Sequence, residues 1–130
     1  MDKKPEFHHE HTALNIPDVE AAGQWYCRHL NMQVLRSGES VRFLADSTGR
    51  LVFEFYTNLS QQLPDYAQMH PSALHLAFYV SNVPAAIVQL IAAGATVYSD
   101  YEVTESGDET AMLRDPWGVP LQLMKRAEPM

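Results

Sequence analysis

Cysteine is almost missing: the 130 residues hold one, Cys27. A single thiol excludes an intrachain disulfide and fits a reducing compartment, so a cytoplasmic location is expected. Cys27 falls inside a helical pattern, where it reads as a small packing residue rather than a nucleophile. Positive charge is also scarce. Nine Lys and Arg stand against sixteen Asp and Glu, a net charge of −7. No basic cluster extends beyond Lys3-Lys4 and Lys125-Arg126. That balance speaks against nucleic acid or an anionic membrane as a partner. No apolar run of about 18 residues occurs, so no transmembrane helix is expected. The opening Met1 to Glu6 lacks the apolar core of a signal peptide. The apolar share, 46%, is that of an ordinary globular chain, and the length suits one domain.

What the chain has is a repeat. His11-Thr12-Ala13-Leu14-Asn15-Ile16-Pro17-Asp18-Val19-Glu20-Ala21-Ala22 returns without a gap as His75-Leu76-Ala77-Phe78-Tyr79-Val80-Ser81-Asn82-Val83-Pro84-Ala85-Ala86. A repeat of this length means two copies of one structural unit. In the first copy, His11–Ile16 alternates as a strand, Pro17 ends it and Asp18 caps a helix. Val19, Ala22, Tyr26 and Leu30 form the helix's apolar stripe, and Asn31 closes it. Strands are predicted at Met32–Arg36, Ser40–Ala45 and Arg50–Thr57, with turns at Ser37-Gly38 and Ser47-Thr48-Gly49. The second copy reads the same way: strand His75–Val80, then a helix capped by Asn82 with Pro84 in its first turn. Its stripe is Val83, Ala86, Ile87, Leu90 and Ile91, and Gly94 stops it. Strands follow at Ala95–Tyr101, Glu109–Arg114 and Val119–Lys125, the last after the turn Asp115-Pro116-Trp117-Gly118.

The expected fold is α+β: two βαβββ modules, about 8–57 and 73–126, joined by a polar connector at 58–72 within one domain spanning 1–130. One helix covers one face of a four-stranded sheet. The uncovered faces, on curved mixed sheets, are expected around a shared cavity. Small paired units of this kind leave sheet edges to cover, so a homodimer is also expected.

Alternation says which side chains occupy the uncovered faces. Leu14, Ile16, Phe53, Phe55, Leu76, Phe78, Leu121 and Leu123 pack on the helices. His11, Glu54, His75 and Gln122 therefore point the other way. A carboxylate between Phe53 and Phe55 needs a partner or water. Imidazole and carboxylate together suit Ni, Zn, Co or Fe(II), and the amide is a weaker ligand or an orienter of water. The competing reading is a pair of hydrogen-bonded histidines at a pocket mouth. His9 shares the parity of His11 and is the rival ligand. His8 reads as tail, His29 as a helix C-terminal cation and His70 as an exposed connector residue. Asn15, Tyr56 and Tyr79, with Met112 and Trp117, are candidates to line a substrate pocket.

These motifs resemble those of the vicinal oxygen chelate superfamily, the glyoxalase/bleomycin-resistance/extradiol-dioxygenase family. The resemblance lies in His11 to Glu20 with Trp25-Tyr26, in Leu51-Val52-Phe53-Glu54-Phe55, in His75 to Val80 and in Asp115 to Leu123. It implies a metal site at His11, Glu54, His75 and Gln122. The family usually has glutamate at the position of Gln122. The extradiol dioxygenases use that glutamate with the two histidines, so the resemblance to them is weakened. What it implies first is a glyoxalase-I-like, metal-dependent lyase or isomerase in which Glu54 transfers the proton. The alternatives are a metal-free binder of the bleomycin-resistance type and an Fe(II) dioxygenase. No basic pair stands out to grip a substrate carboxylate; Arg28, Arg36, Arg42 and Arg114 are the candidates.

Overall fold

The computed structural model describes residues 3–130. It contains two compact units that meet in sequence between Pro64 and Asp65. The first runs β1 (Thr12–Asn15), α1 (Val19–His29), β2 (Gln33–Gly38), β3 (Val41–Ala45) and β4 (Leu51–Tyr56). The second runs β5 (Leu76–Tyr79), α2 (Val83–Ala92), β6 (Thr96–Val103), β7 (Glu109–Arg114) and β8 (Pro120–Lys125). Each is βαβββ, with sheet orders β1-β4-β3-β2 and β5-β8-β7-β6. The β1–β4 and β5–β8 pairs are parallel, and the other pairs are antiparallel. The α+β class and the repeated modules are therefore as the sequence implies.

Local chemistry starts both helices in the same way. The Asp18 carboxylate accepts from the Ala21 N–H at 3.0 Å, and the Asn82 amide oxygen accepts from the Ala85 N–H at 3.1 Å. Such caps satisfy an otherwise orphaned donor and contribute about 1 kcal/mol each. Asn31 adopts φ +56° just beyond α1, a left-handed conformation that ends a helix and that asparagine tolerates. Gly94 does the same after α2 at φ +106°. In the first unit Tyr26 is fully buried, its ring 4.9 Å from Phe55 and 6.4 Å from Phe53. These contacts lock α1 onto one face of the sheet. The other face, carrying Glu54, stays free of it.

Three local expectations are corrected. The β2–β3 turn is Glu39-Ser40, because β2 runs on through Ser37 and Gly38. Ile91 is 48% exposed, whereas Val83, Ile87 and Leu90 are buried. It lies about 100° around the helix from Leu90 and misses the sheet. Residues 58–72 are not all loop. Tyr66–Gln68 form a short 3-10 helix, and Tyr66 is 5% exposed.

This short helix is part of the second unit and is tied to its sheet. Arg114 donates to the carbonyls of Tyr66 at 2.8 Å, Met69 at 2.9 Å and Gly118 at 3.1 Å. Its guanidinium also lies 5.4 Å from the centre of the Tyr98 ring. Below it the turn at 115–118 is tied by Asp115, whose Oδ1 accepts from the N–H groups of Trp117 and Val119, each at 2.9 Å. No helix is long and apolar enough to cross a membrane among the described residues.

Candidate functional site

In the first unit the parallel register pairs Ala13 with Glu54. His11 precedes Ala13 by two residues and so projects from the same side of the sheet. Its Nε2 lies 3.7 Å from Glu54 Oε1, with the two side chains 28% and 25% exposed. Its Nδ1 meets the Glu10 carboxylate at 2.9 Å. An ionised carboxylate only accepts, so Nδ1 carries the hydrogen. In neutral His11 the lone pair is then on Nε2, facing Glu54. Phe43, paired with Glu54 across β3–β4, sets its ring 5.7 Å from the imidazole, edge to face.

The second unit repeats this lattice. Ala77 pairs with Gln122, and His75 again precedes the paired alanine by two residues. His75 Nδ1 donates to the Pro71 carbonyl at 2.7 Å. A carbonyl is an acceptor alone, so this contact also leaves the lone pair on Nε2. Gln122 donates its amide nitrogen to Thr110 Oγ1 at 3.3 Å, which leaves Oε1 for another partner.

The structure thus brings His11 and Glu54 together and puts His75 and Gln122 at the corresponding points of the other sheet. The donor types suit a divalent ion, and both histidines have Nδ1 anchored by an oxygen, the arrangement that orients metal-binding imidazoles. Donor number is the limit. Among the described residues, no group of three His, Cys, Asp or Glu could hold a metal ion.

The remaining candidates divide by contact. Asn15 is 8% exposed and clamps the Asn58 backbone, accepting from its N–H at 2.9 Å and donating to its carbonyl at 3.1 Å. Tyr56 is half-buried and shares the side of Glu54; Tyr79 is 73% exposed and shares that of Gln122. Met112 pairs with Gln122 across β7–β8, and Trp117 lies in the 115–118 turn. His9 is exposed and lies 3.2 Å from the Thr12 hydroxyl; His8 lies 3.4 Å from Glu6. His29 packs against Trp25 in the last turn of α1, and His70 bonds Ser72 at 2.8 Å. Burial pushes the Cys27 thiol up from its ordinary value, the opposite of an activated nucleophile. Arg42 bonds the Gly38 and Val41 carbonyls, and Arg114 holds the short helix, so neither presents an uncommitted charge. Sequence reasoning missed Glu10 and Pro71 as histidine orienters. Adjacency to His11 was a signal for Glu10; nothing in the sequence marks the Pro71 carbonyl.

The comparisons agree with this architecture. A family model described as a glyoxalase-like domain matches residues 11–124. No curated protein matches the sequence. A glyoxalase/bleomycin resistance protein/dioxygenase family enzyme from Burkholderia phytofirmans PsJN superposes with a TM-score of 0.71 at 22% identity, over 88% of this chain and 95% of its own. A glyoxalase-related enzyme from Fulvimarina pelagi gives 0.70 at 16%, over 90% and 86%. A glyoxalase/bleomycin resistance protein from Albidiferax ferrireducens T118 gives 0.66 at 21%, over 91% and 98%. At such identities these neighbours speak for the fold, and the family match speaks for membership. With the βαβββ repeat and the histidine opening each copy, the chain belongs to the glyoxalase-like domain family of the vicinal oxygen chelate superfamily.

Proposed function

We propose that this protein is a glyoxalase-like lyase or isomerase acting on a small molecule with two neighbouring oxygens, and that Glu54 carries the proton the reaction moves. The observation behind this reading is the His11–Glu54 pair. With Nδ1–H committed to Glu10, neutral His11 turns a lone pair toward a carboxylate 3.7 Å away. Two electron-rich groups at that separation favour a positive charge between or beside them. A cation beside the pair would satisfy both. Glu54 would take a proton from the carbon that bears a hydroxyl and return it to the neighbouring carbonyl carbon, while the hydroxyl proton passes from the first oxygen to the second. The electron pair rests meanwhile on the second oxygen. A Ni, Zn, Co or Fe(II) ion held by His11, Glu54, His75 and Gln122 would supply positive charge against those oxygens.

The metal part of the reading has a direct test. Protein purified without a polyhistidine tag is expected to contain a near-stoichiometric transition metal by elemental analysis. A chelator should lower its melting temperature, and His75→Ala should lower its metal content. A metal-free preparation with no thermal response to added Ni or Zn would instead support the second reading, a small-molecule binder.

Homodimerisation is part of the proposal. β2 and β6 are edge strands exposed along their whole length, the kind of edge a second copy covers. Sedimentation should show twice the mass of the chain, and a monomer at micromolar concentration would remove this element.

A further inference from the structure

The register of β2 contains one irregularity with a chemical consequence. Val34 pairs with Leu44, but Arg36 pairs with Phe43, so two steps on β2 match one step on β3. This is a bulge, and bulges re-aim side chains. Simple alternation would put Arg36 on the side of Val34, the side of Leu44 and of α1. The bulge turns it to the side of Phe43. Phe43 in turn pairs with Glu54, and Glu54 with Ala13. A single row across the sheet therefore reads Ala13, Glu54, Phe43, Arg36, with His11 diagonal to Glu54.

The other arginines do not compete for this position. Arg42 and Arg114 are bonded to backbone carbonyls, and Arg50 and Arg126 face Asp46 and Asp108. Arg28 is on α1, and α1 packs on the opposite face of the sheet. Arg36 is exposed, and among the described residues no hydrogen bond or ion pair commits its guanidinium. In a chain of net charge −7, it is the one uncommitted arginine, among the described residues, on the face of the His11–Glu54 pair.

We infer that Arg36 is a specificity-determining residue: it selects a small molecule bearing a carboxylate, with a flat or apolar part of that molecule lying over Phe43. The planar guanidinium fork matches a carboxylate with two parallel hydrogen bonds. Strands are spaced about 4.8 Å apart, so the carboxylate would sit about 10 Å along the sheet from the atom that Glu54 serves. This spacing keeps the bound anion away from the Glu54 carboxylate. The inference rests on the reading of His11 and Glu54 as the reacting pair.

Binding decides it without knowledge of the natural substrate. 3-Phenylpropanoate and its neutral amide, 3-phenylpropanamide, differ in the charge that Arg36 would read. Wild-type protein titrated by amide NMR is expected to bind the acid about tenfold more tightly than the amide. Arg36→Gln should abolish that preference by weakening the acid alone, and Arg36→Lys should restore part of it. Failure of wild-type protein to bind the acid, equal binding of acid and amide, or a preference that survives Arg36→Gln overturns the inference. Glu54→Gln should keep the preference. If Glu54→Gln also kept full turnover, the reaction reading would fall while the acid preference still decided the role of Arg36.

Discussion

Gly118→Ala is expected to destabilise the protein by about 3 kcal/mol or more, a large effect for the addition of a single methyl group. Two causes add. Gly118 has φ +91°, where a side chain costs about 1–2 kcal/mol. The added Cβ would also lie 2.7 Å from the Ala67 nitrogen, 2.8 Å from its Cβ and 2.9 Å from its Cα. Two of these three atoms are backbone, and the short helix carrying them is tied by Arg114, so neither side yields cheaply. Gly49 separates the two causes. It has φ +84°, and a Cβ added there would meet nothing within 4 Å. Gly49→Ala should therefore cost only the conformational part, about 1 kcal/mol. Urea denaturation of the two variants measures the difference. Equal midpoints would show that the 115–118 turn does not pack against Ala67 as described.

Glu54→Gln is expected to lower turnover by about a hundredfold to ten-thousandfold, the usual contribution of a positioned acid–base group. The substitution keeps size and hydrogen bonding while removing the group that accepts a proton, so packing beside Phe53 and Phe55 should survive. The measurement is solvent-deuterium incorporation at the reacting carbon, with a panel of 2-hydroxy ketones and thiol adducts of 2-oxo aldehydes in D2O. Wild-type protein should exchange that hydrogen, and Glu54→Gln should not. A variant that exchanges as fast as wild type removes Glu54 from the chemistry. His11→Gln should slow exchange less, because it leaves the carboxylate in place.

Much of the fold was legible because the chain's local signals agree with one another. Asp18 and Asn82 are good caps followed by apolar helical stripes, and both do cap. Phe53 and Phe55 on either side of Glu54 predict which side of β4 is dry, and both phenylalanines are buried. What escaped depends on distant partners. The short helix at Tyr66 is bonded through its carbonyl by the Arg114 side chain, 48 residues away. The face of Arg36 needs the bulge, which the sequence does not mark because Val34 and Leu35 are both apolar and either could take the side of Leu44. Of the candidate site, what parity made legible is the side of the sheet that Glu54 and Gln122 occupy, each paired with an alanine two residues after a histidine. The hydrogen bonds that set each histidine's tautomer were not legible, since one is made by a main-chain oxygen.

That last difference makes the two histidines unequal under mutation. The lone pair of His11 is directed by a side chain, Glu10, so one substitution at residue 10 could release it. The lone pair of His75 is directed by the carbonyl of residue 71. Every amino acid supplies that carbonyl, so sequence drift alone does not delete the acceptor; only a change in the path of the chain can. The second unit thus holds its imidazole through an inheritance that point mutation barely touches, while the first remains open to retuning.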